Sequence, residues 1–497
     1  METETTFSKK RPLTRIIKIA VLLLCAVTIL IICLRIIGYG YYPQDDALRH
    51  VAKVISGKEW NDILVLRDEI KTDSHPGWHT LLGFFYKTTG SSQTNLLNFS
   101  IIFLFLLYMM PPAFFFRRPE AWITSLAVLS VFSFGPFFRI FYGRPFIFSM
   151  FLILIFCFLW KRIRDRDKPY HELILFTLLT ALSTWIHGTW YLLSLPLAAL
   201  LFAREWRVFA LMGLSTFLGT VIGALVTGQP LAFLHQMLFH ALEAFGQHDF
   251  TRQLVTEFRP FSGDAMALVV IAGLLIWRQA RGDWNTKCID NPVFILGVLG
   301  WIMGFVAVRF WTDWGFAALA FWVALEFHQI FEKYLNEFSM KRIAVTMALC
   351  LVLFLAMTSD WGSRWSGRVM AEWPKMENDE QVSWLPEDGG ILYSDNMMVF
   401  YNIFYNNPHG PWRYILGFEP IWMPKEDLEI YRNIQLSDGK AESFTPWIKK
   451  MTEKDRMILI RTKEPKTDEL EWHETTPTVW SGRVKILQVN ISTLVNH

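Results

Sequence analysis

With 497 residues, 52% of them hydrophobic and only 19% charged, the chain carries repeated apolar runs of a length that soluble cores seldom use, which places it among integral membrane proteins. The formal net charge of +3 is small, and the basic residues sit in short clusters beside apolar runs, where they orient helices, so a nucleic-acid partner is excluded as a working idea. Cys25, Cys33, Cys157 and Cys350 lie in apolar runs and Cys288 in a polar loop, so no pair is placed for an exterior disulfide.

The basic cluster Lys9, Lys10, Arg11 and Arg15 precedes an apolar stretch, 16–37, that is too long for a signal-peptide core and lacks a small-x-small cleavage site. It reads as a retained anchor with the N-terminus in the cytoplasm. Further spans are expected over 96–116, 121–138, 145–160, 173–186, 190–202, 208–226, 265–277, 293–308, 316–331 and 343–357, about eleven in all for a bilayer of roughly 30 Å. The pair flanking 185–190 is short enough to read also as a re-entrant hairpin, and losing both members would leave every other loop on its side. The loops this topology assigns to the cytoplasm hold Arg117 and Arg118, the cluster Lys161, Arg162, Arg164, Arg166 and Lys168, then Arg204, Arg207, Arg278, Arg281, Lys287, Lys333, Lys341 and Arg342, as the positive-inside rule requires.

Outside lie two long loops, 38–95 and 227–264, three short turns, and everything after Ser359, where hydropathy falls. There, turn signals such as Asp388-Gly389-Gly390 and His409-Gly410-Pro411 separate short β-like runs, Ile391-Leu392-Tyr393 and Met457 to Ile460 among them. The expected architecture is an α-helical polytopic membrane domain over 1–358 followed by a mixed α/β soluble domain over 359–497. It sits in the cell's inner (plasma) membrane, with the C-terminal domain extracytoplasmic.

The polar residues suited to chemistry gather on that outer side. The first long loop opens with Asp45-Asp46-Ala-Leu-Arg49-His50. Asp46 is a fair N-cap for a helix ending at Gly57 with Leu48, Val51 and Ile55 on one face; equally, a carboxylate at the end of a rigid span can act as general base or hold a divalent cation. Further on comes His75-Pro-Gly-Trp78-His79, an interfacial turn in which the Pro-Gly step is expected to keep the two imidazoles off one helical face, against a zinc site. Three outer turns oppose the charge bias: Arg139 to Arg144, Trp185-Ile-His187-Gly-Thr-Trp190, and Arg309-Phe-Trp-Thr-Asp313. An arginine there needs an anionic partner, either a lipid head or phosphate or a neighbouring aspartate such as Asp313 for Arg309. In the second long loop His240 and Glu243 share a helical face, open to a metal pair, a proton relay or solvation; with no further ligand at helical spacing, an amphipathic helix in the interface is the favoured reading. No Walker loop, dinucleotide fingerprint, HExxH or Gly-x-Ser-x-Gly occurs, and ionisable residues within spans are few, with Glu326 and His328 near the end of one.

Taken together, an acidic pair after the first span, a long and partly helical exterior loop, many further spans and an exterior C-terminal domain resemble the GT-C superfamily of membrane glycosyltransferases. Asp45-Asp46 with Arg49-His50 is similar to the acidic motif of its bacterial members that glycosylate lipids or proteins. The resemblance implies a polyprenyl-phosphate-linked sugar donor, a glycan, lipid or protein acceptor, and inverting displacement at the outer membrane face. It also implies Asp45 or Asp46 as base, Arg144 or Arg309 on the lipid phosphate, and His75, His79 or His187 lining the sugar or phosphate site, with Arg49, His50, Arg139 and Asp313 nearby. Metal use stays open. A lipid-linked donor arrives activated, so alignment, a base and charge stabilisation suffice. The same residues leave two rivals, a lipid or small-molecule transporter and a non-catalytic envelope scaffold; Pro196 breaks one span without a matching break elsewhere, which disfavours the inverted halves of a transporter. Asp45, Asp46, Arg144, His187 and Arg309 are expected to converge on one cavity.

Overall fold

The computed structural model describes residues 4–43, 45–70, 72–246, 259–336 and 339–485, with the side chains of 4–14, 240 and 243–246 outside the description. The chain divides into two compact units, one comprising Met1–Pro43, Ser74–Leu81 and Thr94–Val369, the other Gln44–Asp73, Leu82–Gln93 and Met370–His497.

The first unit is helical. Among the described residues six helices are long and apolar enough to cross a membrane: Arg15–Gly38, Gln93–Phe115, Phe146–Asp165, Trp206–Val226, Phe310–Tyr334 and Met340–Thr358. The remaining expected spans are helical too, as Pro119–Phe132, Tyr170–His187, Trp190–Phe202, Ala265–Ala280 and Pro292–Gly304, but shorter or more polar. At 1.5 Å per residue a helix of 13–16 residues reaches only about 20–24 Å. The shortening has a local cause at 121–138, where Pro136 starts a separate turn, Gly135–Arg139, and so ends the longer helix at Phe132.

Small residues let these helices approach closely. A Cβ on Gly223 would lie 2.4 Å from the Ala181 carbonyl oxygen and one on Gly219 2.6 Å from that of Thr177, so Trp206–Val226 and Tyr170–His187 meet backbone to backbone. Gly223→Leu is therefore expected to cost about 1–3 kcal/mol through overpacking and to lower the thermal midpoint of the purified protein. Gly213→Leu on the same helix, where the added Cβ meets nothing within 4 Å, should leave the midpoint unchanged. Equal effects of the two would refute this packing.

At the starts of two helices, Glu120 and Arg342 form a bidentate pair, Nε to Oε1 2.7 Å and Nη2 to Oε2 3.0 Å, with both side chains wholly buried. Arg118 lies 3.4 Å from the same carboxylate and donates to the Leu335 carbonyl at 2.7 Å. All five cysteines are free and buried.

In the second unit, the strands β1 (Ile391–Tyr393), β2 (Arg413–Tyr414), β3 (Arg456–Ile460), β4 (Leu470–Thr476) and β5 (Val479–Val484) form one mixed sheet in the order β2-β1-β3-β5-β4. β1 is parallel to β2 and β3, while β5 runs antiparallel to β3 and β4. Part of the first long loop completes this unit. Leu64 bridges to Tyr414, the backbone N–H groups of Val65 and Arg67 donate to the carbonyls of Tyr414 and Trp422, and the helix Ala47–Ser56 packs on the helix Met397–Asn406.

Candidate functional site

The first unit brings together most of the polar residues expected on the outer side. Each is placed by a helix end. Tyr170–His187 ends at Gly188, whose left-handed φ of +71° lets its N–H reach back to Thr184 and leaves His187 as the last helical residue. Pro76 opens the helix Pro76–Thr89, and His75 caps its first turn through its carbonyl, 3.1 Å from the His79 N–H. The two imidazoles, expected to diverge around the Pro-Gly step, instead lie 6.5 Å apart, and His75 is 5.7 Å from His187. The reason is that Pro76 and Gly77 are the first two residues of the helix and not a turn ahead of it, which leaves His75 and His79 at i and i+4 on a common face. His187 is buried, and its Nδ1 is within hydrogen-bond distance of Ser149 Oγ, 2.9 Å, and Thr189 Oγ1, 2.7 Å.

Phe146 joins this imidazole group to a guanidinium group. Its ring is 6.4 Å from His187, and the guanidinium carbons of Arg139 and Arg144 lie 4.4 Å and 5.4 Å from its centroid. Arg139 in turn pairs with Asp313 through two hydrogen bonds, Nη2 to Oδ2 at 2.9 Å and Nε to Oδ1. The pairing expected of Arg309 with Asp313 is present but looser, Nε to Oδ2 at 3.4 Å, because Arg139 occupies the bidentate position. Thr312 Oγ1 also donates to Asp313 at 3.0 Å. Asp313 sits on a π-helical turn, Phe310–Gly315, held flush against the helix Pro292–Gly304: a Cβ on Gly300 would be 2.4 Å from Gly315 Cα. Phe146, Ser149 and Thr189 were not singled out from the sequence. A signal existed in Ser149, a hydroxyl one turn into an otherwise apolar helix.

Asp45, Asp46, Arg49 and His50 belong to the second unit. The helix Ala47–Ser56 ends at Gly57 in the left-handed region, as expected, but Asp46 does not cap its start: its φ of −47° and ψ of −28° are helical and its carboxylate makes no capping hydrogen bond. Asp46 instead accepts from Arg49 at both oxygens, Nη2 to Oδ2 at 3.1 Å and Nε to Oδ1, with His50 Nε2 3.4 Å from Oδ2. The Asp46 N–H donates to Asp45 Oδ1 at 2.5 Å. Arg49 is buried with its guanidinium carbon 3.5 Å above Phe418 and 5.5 Å from Trp60. A desolvated, stacked guanidinium on a buried carboxylate builds a rigid mount. Asp45 is more exposed than Asp46. Nearby, burial is the main influence on Lys58, pushing its ammonium below the usual lysine range while it donates to the Gly410 carbonyl at 2.5 Å.

His240 lies on the helix Pro230–Gly246, but its side chain and that of Glu243 are outside the described residues. Among the described residues no group of three or more His, Cys, Asp or Glu side chains is arranged as a metal-ligand set. Chemically, the first unit's cluster offers guanidinium groups for an anion and imidazoles for hydroxyls or protons, and the second unit offers two differently engaged carboxylates. No protein-family model matches the chain, and no curated protein matches it at a significant level.

Proposed function

We propose that the protein is a membrane glycosyltransferase of the GT-C type, moving a sugar from a polyprenyl-phosphate donor to an acceptor outside the cytoplasm by inverting displacement. The observation that carries this reading is the gathering of Arg139, Arg144 and Arg309 around Phe146 and Asp313, with His187, His75 and His79 continuing the same cluster. Two arginines on a single carboxylate, with a third on the Phe146 ring beside them, suit a phosphate, whose charge grows as the sugar leaves. The imidazoles suit sugar hydroxyls. The reading takes Asp45 as the base, since both oxygens of Asp46 are engaged by Arg49. An odd number of spans, about eleven, would put the N-terminus in the cytoplasm and the C-terminal α/β unit on the other side. It further takes the inner (plasma) membrane as the site of action. A divalent cation is a variable of the assay.

The test is transfer of label from a panel of polyprenyl-phosphate sugars by the purified protein, with membrane extract as acceptor source and with or without magnesium or manganese. Binding of such lipids without transfer under any of these conditions would abandon the enzyme reading for a transporter or scaffold. Within the enzyme reading, Arg144→Gln is expected to lower kcat/KM for the donor about tenfold or more, with a fall in kcat, because the contact strengthens as charge grows on the departing phosphate. Unchanged kcat and KM would remove Arg144 from the donor's phosphate.

A further inference from the structure

The second unit carries a polar arrangement that the transfer reading does not use. β1 connects to β2 on one side and the chain then returns past β1 to β3 on the other. Right-handed crossovers in opposite directions put the segments that leave β1 and β2 on opposite faces, with β1 and β3 the neighbours at which the strand order reverses. In open α/β sheets ligands bind outside the carboxyl ends of the strands at such a reversal.

Asp395 follows β1 and Arg461 follows β3, so both stand at this edge. Arg461 Nη2 donates to Asp395 Oδ2 at 2.5 Å and Nη1 to the Ile460 carbonyl at 2.9 Å. The Asp395 side chain is only 9% exposed, and its Oδ1 is buried with no hydrogen-bond partner among the described residues. A buried carboxylate oxygen left unsatisfied is an uncompensated cost that a donor from outside would remove. Gln435 fixes the Asp395 backbone, its Nε2 donating to that carbonyl at 2.7 Å, and Asn396 caps the adjoining ten-residue helix through the Met398 N–H at 2.9 Å. Arg461, 32% exposed, is the one member of the group with a long stem reaching solvent, and Gly439 beside it has no side chain to hold it in place.

We infer that Asp395 and Arg461 form a binding site for a vicinal diol of a neutral saccharide, with Arg461 shifting to admit it. One hydroxyl would donate to Asp395 Oδ1 and its neighbour would accept from the Arg461 guanidinium. A neutral ligand is favoured because the pair balances its own charge: an anion meets Asp395 and a cation meets Arg461. The site stands on the second unit alone and does not require the transfer reaction.

The experiment uses the full-length protein in lipid nanodiscs, free of sugar-headed detergent, and ligand-observed NMR titration with methyl α-mannopyranoside, methyl β-galactopyranoside and methyl β-glucopyranoside; ethanolamine and inorganic phosphate serve as charged competitors. These glycosides react with nothing, so failure of sugar transfer leaves the result intact. At least one glycoside should bind in the millimolar range, and Asp395→Asn and Arg461→Gln should each weaken it about tenfold or more at an unchanged thermal midpoint. Because Arg461 is partly exposed, its variant keeps the test valid even where Asp395→Asn fails to fold. No binding by any glycoside up to about 100 mM, unchanged affinity in Arg461→Gln, or displacement by ethanolamine or phosphate would each overturn the assignment.

Discussion

Asp45→Asn is expected, for the transferase proposed above, to lower sugar transfer by about 10²–10⁴-fold, the usual contribution of a positioned general base, while leaving the thermal midpoint where it was. Asp46→Ala should do something different. Its carboxylate is the partner of a buried guanidinium, and removing it strands Arg49 in a desolvated site between Phe418 and Trp60, a loss of about 3–5 kcal/mol. Both measurements are made on the same preparations, transfer of labelled sugar and thermal unfolding. Asp46→Asn separates charge from shape: it keeps the size of the side chain and removes the ionic partner, so it too should lower the midpoint, and any loss of transfer should be recovered at a temperature where the variant is folded. If instead Asp46→Asn abolishes transfer at an unchanged midpoint and Asp45→Asn is active, the roles of the two aspartates are reversed.

The second large effect is expected at Glu120. Both it and Arg342 are wholly buried, and their two hydrogen bonds hold the first turns of Pro119–Phe132 and Met340–Thr358 together. Glu120→Ala leaves the Arg342 charge uncompensated in a low-dielectric setting and should cost about 3–5 kcal/mol. Glu120→Met combined with Arg342→Met replaces the pair by apolar side chains and should recover most of that loss, giving a coupling energy of roughly 2 kcal/mol or more in a double-mutant cycle. Arg118 also loses the Glu120 carboxylate in the double variant and keeps only its hydrogen bond to the Leu335 carbonyl, which accounts for the part of the loss that is not recovered. Additive single losses, with no recovery in the double variant, would show that the two residues contribute separately.

Some of this was legible in the sequence because its cause is local. β1 falls on the run Ile391-Leu392-Tyr393, and β3 covers Met457 to Ile460, since a few apolar residues between turn signals have no better local solution. Gly57 ends its helix because only a residue without a Cβ takes that φ of +64° at little cost. The apolar stretches are helical, but whether Pro119–Phe132 or Pro292–Gly304 is long enough to cross a membrane depends on where Gly135-Pro136 and Gly304 end each helix, which hydropathy alone does not resolve. The site was legible as residue types and not as partners. Asp313 lies four residues from Arg309 but accepts its bidentate pair from Arg139, a choice made by tertiary packing. Asp46 reads locally as a helix cap; the Phe418 ring that buries Arg49, and so makes the carboxylate a salt-bridge partner, is remote in sequence.

That remoteness governs when the second unit can form. Roughly 370 residues separate Arg49 from Phe418, and at about 5–20 residues per second a ribosome takes on the order of 20–70 s to make them. For most of that interval Leu48, Val51 and Trp60 have been synthesised and the helix Met397–Asn406 and strand β2 that cover them have not. The first loop must wait as an unfinished surface while the intervening helices are inserted. A nascent chain cut short anywhere before β2 therefore leaves an apolar flank open to chaperones and proteases, and assembly of this unit is timed by the synthesis of Met397–Asn406 and β2.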